Sequence, residues 1–317
     1  MSNSSKFSNL LISGGAGFIG SQYIRSNFQG NFFSFEHRKV TIIDALTYAG
    51  NLDRISNELL NPNLTFDKID ISRHDVVEIY SGKFDAIIHF AAESHVDRSI
   101  ENPDAFLTTN IIGTKNMLEI ARISKIPIVI ISTDEVYGSI AEGSADEEHI
   151  LNPSSAYSAS KASADLLALA YYRTHNVDVR ITRCVNNYGK FQDPEKLIPK
   201  SIISLQKFGT VALYGDGGNI RDWIHIEDHC NAINLVLENG KSGQIYNVGN
   251  DREVRNLDLI RFISNGLGIH NPKINFIPDR LGHDYRYSVD SSKIRTDLEW
   301  APKRNLYQDF SELLLIL

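Results

Sequence analysis

The sequence has few cysteines and no long apolar run. Only two of its 317 residues are cysteines, Cys184 and Cys230, and they form neither a CxxC pair nor a disulfide framework. That scarcity is typical of a protein of the reducing cytoplasm, which is the predicted location. The polar start MSNSSKFSN is followed by LLI, which runs directly into glycines. We therefore expect neither a signal peptide nor a membrane-spanning helix, and no membrane partner.

An excess of positive charge is also lacking, because 39 acidic residues outnumber 32 basic ones and give a formal net charge of -7. A general nucleic-acid binder normally carries a basic surface, so no nucleic-acid partner is expected. An anionic ligand would have to be bound by local arginines, lysines or helix N-termini. The hydrophobic share of 42% supports a sizeable core, in one large domain or two closely joined ones.

Spaced glycines mark the first ligand-binding feature of the chain. A short apolar strand, 10–13, runs into Gly14, Gly17 and Gly20 and then into a helix. This geometry presents a helix N-terminus to a pyrophosphate, although glycine-rich turns also serve tight packing alone. A second apolar strand ends in Asp44, at the distance at which a carboxylate binds the adenosine ribose. Because that carboxylate would repel a 2′-phosphate, the pattern favours NAD over NADP.

Two further strand ends extend this nucleotide-binding half. A third strand ends near Asp70 and Ile71, a position suited to the adenine edge. An exposed acid at a strand end is an equally weighted alternative for Asp70. The fourth buried strand is followed by Ala91 and Ala92, small residues that let a dinucleotide approach the backbone closely.

The charged residues just after this strand, His95, Asp97 and Arg98, raise the question of a metal site. Their spacing matches no zinc pattern. We therefore expect no metal and favour a solvated or interface cluster.

The central stretch is IPIVIISTDEVYG, residues 126–138, with YSASK following at 157–161. Six of the seven residues 126–132 are apolar, which predicts a strand buried on both faces of a parallel sheet. Ligands bind at the carboxyl ends of such strands, and residues at i and i+4 of a helix share one face. One site is therefore predicted to hold the side chains of Thr133, Asp134, Glu135, Tyr157 and Lys161. Taken singly, the acids could merely end a strand, and YxxxK is a short and common pattern.

Two helices flank this centre. One, from about 105 to 124, leads into the central strand, and the other begins after Ser154 or Ser155 as N-cap. The second helix, AYSASKASADLLALAYYR, is small or apolar nearly all the way round. Such a helix is buried on more than its sheet-facing side, which favours a homodimer, with an abutting helix of the same fold as the alternative.

Taken together, these motifs resemble the extended short-chain dehydrogenases/reductases and, among them, the dTDP-glucose 4,6-dehydratases. The matching segments are GGAGFIG, DALTYAGN, FAAESHVDRSI, STDEVYG, YSASKASAD, TRCVNNYG, PEKLIPK, YGDG, IRDWIHIEDH, YNVGN and DRLGHDYRY. They run from the first strand to about Tyr287. GGAGFIG alone would indicate only the superfamily, whereas Thr-Asp-Glu before VYG, combined with RDW and DRLGHD, is far narrower.

The resemblance implies an α/β fold, a Rossmann-type doubly wound parallel sheet with a smaller, interleaved α/β substrate-binding lobe. The helix after IHIEDH and the strand QIYNVGN look like returns to the nucleotide-binding sheet. We therefore expect an NAD-binding domain of residues 1–187 plus 221–253. The nucleotide-sugar-binding lobe would comprise residues 188–220 plus 254–317.

The chemistry that the resemblance implies is redox-neutral. Tyr157 would take the proton of the sugar C4 hydroxyl as NAD accepts hydride from C4. Lys161 would lower the pKa of that phenol and hold the nicotinamide ribose, and Thr133 would hydrogen-bond the C4 oxygen. Glu135 would then remove the C5 proton while Asp134 protonates the departing C6 hydroxyl. Return of the hydride to C6 gives a 4-keto-6-deoxy sugar without an external reductant.

The resemblance also implies a set of binding residues. The cofactor-binding positions are Gly14, Gly17, Phe18, Ile19, Gly20, Asp44, Leu46, Thr47, Asp70, Ile71, Ala91, Ala92, Ser94, Thr109, Tyr157, Lys161 and Asn187. The substrate-binding positions are Glu93, Thr133, Asn186, Lys196, Leu197, Tyr214, Arg221, Asn256, Arg280, His283 and Arg286. Arg221 offers the planar fork that suits a diphosphate. For any one of these arginines, a surface ion pair is the plain alternative.

Three features depart from the family pattern. Val185 replaces a small polar residue, and KFQD, 190–193, is an unusual lead into PEKLIP. Both leave the sugar and base preference open. The short end, FSELLLIL, is expected to affect stability or packing more than chemistry.

Three functions are compatible with these motifs. Dehydration of dTDP-glucose is preferred. Another nucleotide-sugar enzyme of the same fold is the first alternative, as an epimerase, a decarboxylase or a dehydratase of another nucleotide. Asp134 beside Glu135 argues against a C4 epimerase, which needs no elimination. The second alternative is a non-catalytic NAD-binding sensor, which predicts loss of the tyrosine, lysine or acids, and all are present.

Overall fold

The computed structural model describes residues 6–30, 35 and 38–314, apart from the side chain of Glu312. Its strands are β1 (Asn9–Ser13), β2 (Lys39–Asp44), β3 (Leu64–Lys68), β4 (Ala86–His89), β5 (Ile128–Thr133), β6 (Val179–Cys184), β7 (Asn186–Tyr188), β8 (Thr210–Tyr214), β9 (Ile220–His225), β10 (Gln244–Val248), β11 (Glu253–Arg255) and β12 (Lys273–Ile277). Its helices are α1 (Phe18–Phe28), α2 (Val76–Tyr80), α3 (Val96–Glu101), α4 (Asp104–Phe106), α5 (Thr114–Ser124), α6 (Ala156–His175), α7 (Leu197–Phe208), α8 (Ile226–Asn239), α9 (Asn256–Gly266), α10 (Ser292–Leu298) and α11 (Phe310–Leu313).

A parallel sheet of seven strands forms the centre, in the order β10-β6-β5-β4-β1-β2-β3. Helices cover both faces of the sheet, and β4 and β5 are largely apolar. Every residue of β4, β5 and β6 is buried, including Arg180, Thr182 and Arg183 of β6. The strand order reverses at β1, which pairs with both β2 and β4. In sheets of this kind the ligand crevice lies beyond the carboxyl ends at that reversal. The predicted Rossmann-type doubly wound sheet is confirmed.

The two faces of the sheet carry separate hydrophobic clusters. Leu10 and Ile12 of β1 belong to the first cluster and Leu11 to the second, since successive strand side chains point to opposite faces. Helices α1 and α8 pack against each other on the first face, and α2, α5 and α6 contribute to the second.

A smaller part of the chain is built from two short sheets. β11, β9 and β7 form one, β12 and β8 form the other, and a third hydrophobic cluster joins residues from Tyr188 to Leu313. β10 joins the seven-stranded sheet, whereas β9 pairs with β7 and β11. The division into lobes at the residue boundaries given above stays a prediction. Residues 315–317 of the short carboxyl end lie outside the described residues.

The predicted helix at 105–124 is present as α4, a π-helical segment from Leu107 to Gly113, and α5. Ser155 is the N-cap of α6, where its hydroxyl accepts a hydrogen bond from the Ser158 amide. Within the described residues, every helix is too short or too polar to span a bilayer. Cys184 and Cys230 are buried free thiols.

Candidate active site

A turn at the end of β5 carries the two central acids. Thr133 ends the strand, its hydroxyl accepts the Glu135 amide at 3.3 Å, and a short 3-10 helix follows from Asp134 to Tyr137. The far end of this turn is anchored, because the Tyr137 hydroxyl donates to Asn247 Oδ1 at 2.8 Å and accepts from Arg183 at 2.9 Å. The turn therefore holds both carboxyl groups on a fixed backbone.

Helix α6 brings the phenol and the ammonium to the same place. The side chains of Tyr157 and Thr133 are hydrogen-bonded to each other. Lys161, one turn further on, donates from Nζ to the Ile131 carbonyl at 2.7 Å. Thr133, Glu135, Tyr157 and Lys161 line one cleft, and Asp134 lies beside Glu135 in the same turn. The structure thus collects the five predicted catalytic residues, whose roles stay predictions.

The two acids lie in different electrostatic environments. Burial, together with the neighbouring Glu135 carboxylate, raises the pKa of Asp134 to about 8. Burial also raises the pKa of Glu135, but Lys196, Arg280 and Arg221 act in the opposite direction. A carboxyl group with a pKa near 8 is mostly protonated at neutral pH, whereas three nearby cations favour an ionised partner. The pair is therefore suited to an acid at Asp134 and a base at Glu135.

Tyr157 does not show the expected influence of Lys161. Burial raises the pKa of the phenol well above its ordinary value, and the charge of Glu135 raises it further. Burial lowers the pKa of Lys161 to about 8, against the effect of Asp165. The raised pKa of the phenol reflects burial and the charges of Glu135 and Asp134, and the lowering by Lys161 stays a prediction.

The glycine-rich loop is closely packed against the strand-end residues. Gly14 has a φ of +75°, and a Cβ atom there would lie 2.4 Å from the Ala91 amide nitrogen. A Cβ atom on Gly20 would lie 2.3 Å from the Gly14 carbonyl oxygen. Helix α1 begins directly after Gly17 without a side-chain cap, as expected of a helix N-terminus that receives a phosphate. We call Gly14–Gly20, Ala91 and Ala92 the glycine side of the cleft.

Asp44 lies next to this loop, with its carboxylate fixed by two main-chain donors. Its oxygens accept the amides of Ala16 at 3.0 Å and Leu46 at 2.8 Å. Burial raises its pKa, and these two hydrogen bonds counteract that effect. A carboxylate anchored in this way fits the ribose of an adenosine.

The adenine-edge residues are placed differently from one another. Asp70 is exposed, and its Oδ1 accepts from both the amide and the hydroxyl of Ser72 at 2.8 Å. Ile71 is buried in the core, where its side chain packs against Gly113. Thr109 lies in the π-helical segment, whose Asn110 hydrogen-bonds both main-chain groups of Glu93 and the Ser160 hydroxyl.

The remaining candidates divide between the cleft lining and its surroundings. Those on the lining are Gly14, Gly17, Phe18, Ile19, Gly20, Ala92, Ser94, Asn186, Asn187, Lys196 and Leu197. Those outside it are Asp44, Leu46, Thr47, Asp70, Ile71, Ala91, Glu93, Thr109, Tyr214, Arg221, Asn256, Arg280, His283 and Arg286.

Within the part of the chain that the structure describes, the hydrogen-bond acceptors of the Arg221 side chain are all main-chain carbonyls. Its guanidinium donates to the carbonyls of Ile220, Tyr285 and Asp284 at 2.7 to 3.2 Å and lies 4.1 Å from the centre of the Tyr287 ring. Carbonyls position the guanidinium without neutralising it, so its positive charge is available to a diphosphate. Arg221, Arg280 and His283 lie outside the lining given above, but the charges of Arg221 and Arg280 act on Glu135 in the cleft. We call these three residues the arginine side of the cleft.

Other predicted substrate residues already have charged partners. Arg286 makes a bidentate pair with Glu253 at 2.7 and 2.6 Å. Arg280 lies 3.6 Å from the Asp97 carboxylate, which also accepts from the Tyr214 hydroxyl at 3.3 Å. His283 contacts Asp279 at 2.6 Å. Arg286 therefore matches the plain ion-pair alternative better than a ligand contact.

Sequence reasoning missed several residues of the lining, namely Tyr48, Arg54, His95, Gln192, Trp223 and His229. His95 was expected in a solvated or interface cluster, but it lines the cleft, and its Nε2 lies 3.1 Å from Glu195. Its position directly after Ser94, at a strand end, was the available signal. Gln192 and His229 lie in the segments KFQD and IRDWIHIEDH, but their place on the lining depends on contacts with Asn187 of β7.

Several buried polar atoms at the cleft have no hydrogen-bond partner within the part of the chain that the structure describes. They are His95 Nδ1, Ser132 Oγ, Asp134 Oδ2, Gln192 Oε1, Trp223 Nε1 and His229 Nε2. Buried polar atoms in folded proteins are almost always paired. Their concentration here fits a ligand with several polar groups, as a dinucleotide and a nucleotide sugar have.

Comparison with known proteins gives a consistent result. A family model described as GDP-mannose 4,6 dehydratase matches residues 11–313. A dTDP-glucose 4,6-dehydratase from Streptomyces niveus is 46% identical over 295 residues, covering 93% of this chain and 88% of that protein.

Solved structures agree. The crystal structure of a dTDP-glucose 4,6-dehydratase from Streptomyces venezuelae, with NAD bound, matches with a TM-score of 0.92 and 44% identity, covering 97% of this chain and 96% of that one. A UDP-glucuronic acid 4-epimerase from Bacillus cereus has a TM-score of 0.90 at 26% identity, covering 97% and 98%. The fold is thus shared with epimerases, and the higher identity is to the dehydratases.

Proposed function

The chain belongs to the GDP-mannose 4,6-dehydratase family of extended short-chain dehydrogenases/reductases, and on that premise we propose that it converts dTDP-glucose to dTDP-4-keto-6-deoxyglucose and water. The observation that carries this proposal is the pair of acids at the end of β5. Asp134 and Glu135 lie on one turn beside Tyr157, and burial raises the pKa of both carboxyl groups, to about 8 at Asp134, while nearby cations counteract the rise at Glu135. An epimerase of the same fold needs no such pair.

NAD is the cofactor that the site fits. The tightly packed glycine side, the uncapped start of α1 and the anchored Asp44 carboxylate suit a pyrophosphate and a ribose without a 2′-phosphate. When bound, NAD supplies hydride removal at C4 and hydride return at C6, and its cationic ring adds positive charge near Tyr157. The overall reaction is redox-neutral.

The residues of α6 and β5 handle the protons of the first half-reaction. Tyr157 takes the proton of the C4 hydroxyl, and Thr133, which is hydrogen-bonded to Tyr157, orients the C4 oxygen. Lys161 places an ammonium one helical turn from the phenol. Because the phenol is buried, it needs nearby positive charge to ionise.

The acids carry out the elimination. Once C4 is a ketone, the C5 proton is acidic, and Glu135 removes it. Asp134 protonates the C6 hydroxyl, which leaves as water, and Glu135 then returns its proton to C5. Asp134 is a suitable donor because its pKa is raised to about 8 by burial.

The arginine side would hold the diphosphate, with Arg221 as its main contact.

A direct assay tests the function. Purified protein is incubated with dTDP-glucose, UDP-glucose and GDP-glucose without added NADPH, and the products are identified by mass spectrometry and NMR. We expect loss of one water and a 4-keto-6-deoxy sugar, with dTDP-glucose turned over fastest. Clean inversion at C4 would instead establish an epimerase, and absence of turnover with all three sugars would remove the proposal.

We also propose that the enzyme is a homodimer of the cytoplasm. Helices α3 and α5 pack against α6, yet Ala159, Ser163, Leu166 and Ala170 remain exposed on one stripe of it. The side chains of Leu107, Ile112 and Leu166 are 46%, 48% and 58% exposed, so this surface is apolar and spans two adjacent helical segments. Light scattering after gel filtration should give a dimer, and Leu166→Glu a monomer. A monomeric wild-type protein would contradict this part of the proposal.

A further inference from the structure

His229 is a buried histidine that the mechanism above does not use. It lies in the first turn of α8, is 0% exposed and lines the cleft. Its Nδ1 lies 3.0 Å from Asn187 Oδ1. The amide nitrogen of Asn187 donates to the Val185 carbonyl at 3.0 Å and to Cys184 Sγ at 3.3 Å, which fixes Oδ1 as the acceptor. His229 Nδ1 must therefore carry the proton.

This tautomer leaves a lone pair on the other ring nitrogen. Burial lowers the pKa of His229 to about 3, so the ring is neutral and carries one proton at physiological pH. Nε2 is then an acceptor, and it is buried without a hydrogen-bond partner among the described residues. A buried acceptor in a ligand cleft calls for a donor on the ligand.

Gln192 presents a second acceptor, oriented by the same residue. Its Nε2 donates to the Asn187 main-chain carbonyl at 2.9 Å. Because a carbonyl can only accept, the Gln192 atom in this contact must be the amide nitrogen. The amide oxygen, Oε1, then points away from Asn187. That oxygen is buried, unpaired among the described residues, and belongs to a residue of the cleft lining.

The residues next to both acceptors contact helix α1. Cys230, next to His229, approaches the Ile19 carbonyl at 4.0 Å. Phe191, next to Gln192, lies under the Arg25 guanidinium of α1. The guanidinium carbon is 4.7 Å from the centre of the Phe191 ring. The neighbours of both residues thus contact α1, the helix that follows the glycine loop.

We propose that His229 Nε2 and Gln192 Oε1 accept hydrogen bonds from the carboxamide N–H groups of the bound nicotinamide, with Asn187 positioning both side chains. The inference rests on the proposed function, since it takes NAD as the cofactor. A primary carboxamide has two N–H donors on one nitrogen. It can therefore supply one donor to each of the two buried acceptors whose side chains contact Asn187. The site consequently selects a carboxamide over a ketone at the same position of the ring.

The test compares three ligands on enzyme stripped of nucleotide. NAD has the carboxamide, its 3-acetylpyridine analogue has a methyl ketone in that place, and ADP-ribose lacks the ring. Dissociation constants are measured by titration calorimetry for wild type, His229→Leu and Gln192→Leu. Because buried acceptors left unpaired are costly, wild type should bind NAD about tenfold more tightly than the analogue. Each variant should reduce that ratio severalfold towards one and leave ADP-ribose affinity unchanged.

The outcomes separate this inference from the proposed function. A wild-type ratio near one, or a wild-type ratio retained in both variants, overturns the inference while NAD binding itself stands. An equal loss of affinity for all three ligands in both variants would assign both residues to packing and also overturn it. Failure of wild type to bind NAD or ADP-ribose would instead remove the proposed function.

Discussion

The glycine side and the arginine side of the cleft are built in opposite ways. On the glycine side, main-chain atoms of one loop pack against one another, as Gly20 does against Gly14, and the loop in turn packs against the main chain of Ala91. On the arginine side, a side chain is held by carbonyls far along the chain, as Arg221 is by Asp284 and Tyr285, 63 and 64 residues away. The first side owes its shape to local backbone geometry, and the second to the folding of distant segments onto each other.

This difference matters most where the two sides meet, at the acids. Asp134 and Glu135 follow a strand of the seven-stranded sheet, but the cations that act on Glu135 are Lys196, Arg280 and Arg221. The seven-stranded sheet thus fixes where the carboxyl groups are, and cations beyond that sheet favour the ionised form of Glu135. Substitutions on the two sides should therefore fail in different steps of the reaction.

The largest effect is expected for Glu135→Gln, which changes one of the two acids where the glycine side and the arginine side meet. The amide keeps the shape of the side chain but cannot remove the C5 proton, so dehydration should fall by about a thousandfold. Oxidation at C4 should persist, because Tyr157, Thr133 and Lys161 are unchanged. Rapid-quench analysis would measure the keto sugar, and absorbance would measure the reduced cofactor.

Glu142→Gln is the matched control, since Glu142 is exposed and outside the cleft lining. It should leave both half-reactions unchanged. Full turnover by Glu135→Gln would show that another group is the base.

The second-largest effect is expected on the glycine side, where two glycine substitutions should differ in their effect on folding stability while both weaken NAD binding. A Cβ atom on Gly20 would lie 2.3 Å from a main-chain oxygen, whereas one on Gly17 would lie 3.3 Å from the same Gly14 carbonyl. Gly20→Ala should therefore cost about 2 kcal/mol of folding free energy and also weaken NAD binding. Gly17→Ala should retain the stability and weaken only NAD. Urea denaturation and calorimetry measure the two quantities, and equal stability of both variants would contradict this reasoning.

The same contrast explains what the sequence could predict. The five catalytic candidates and the glycine loop were predictable because strand ends, glycine spacing and helix periodicity are local patterns. The place of Gln192 and His229 on the lining was not, because both are held by Asn187, 5 and 42 residues away, through tertiary contacts. Nor could the sequence distinguish Arg221 from Arg286, since both are arginines in family motifs and only the tertiary contacts differ.

Those two arginines provide the third prediction, which tests the arginine side. Arg221→Lys keeps the charge but loses a fork held by three carbonyls, so KM for dTDP-glucose should rise by about thirtyfold. Arg286→Lys changes a guanidinium that is already paired with the Glu253 carboxylate, and KM should change by about twofold or less. Steady-state kinetics decide the matter, and equal effects of the two substitutions would show that Arg286 also contacts the substrate.

The smallest effect is a pH dependence that separates the two half-reactions. Asp134 must be protonated to act as an acid, and burial raises its pKa to about 8. Elimination should therefore fall about tenfold for each pH unit above about 8, and it should also decline in acid, where Glu135 takes up a proton and can no longer act as the base. Lys161 also titrates near there, because burial lowers its pKa to about 8, and loss of its charge would slow oxidation at C4.

The two causes are distinguishable because they affect different measurements. In Glu135→Gln, which stops after oxidation, an alkaline decline in formation of the reduced cofactor would report Lys161 alone. In Asp134→Asn, the residual elimination should lose the component due to Asp134 and retain any component due to Lys161. If the alkaline decline of turnover is identical in wild type and Asp134→Asn, then Asp134 is not the proton donor. The acid would then have to come from another group near C6, and the division of labour between the two carboxyl groups would be wrong.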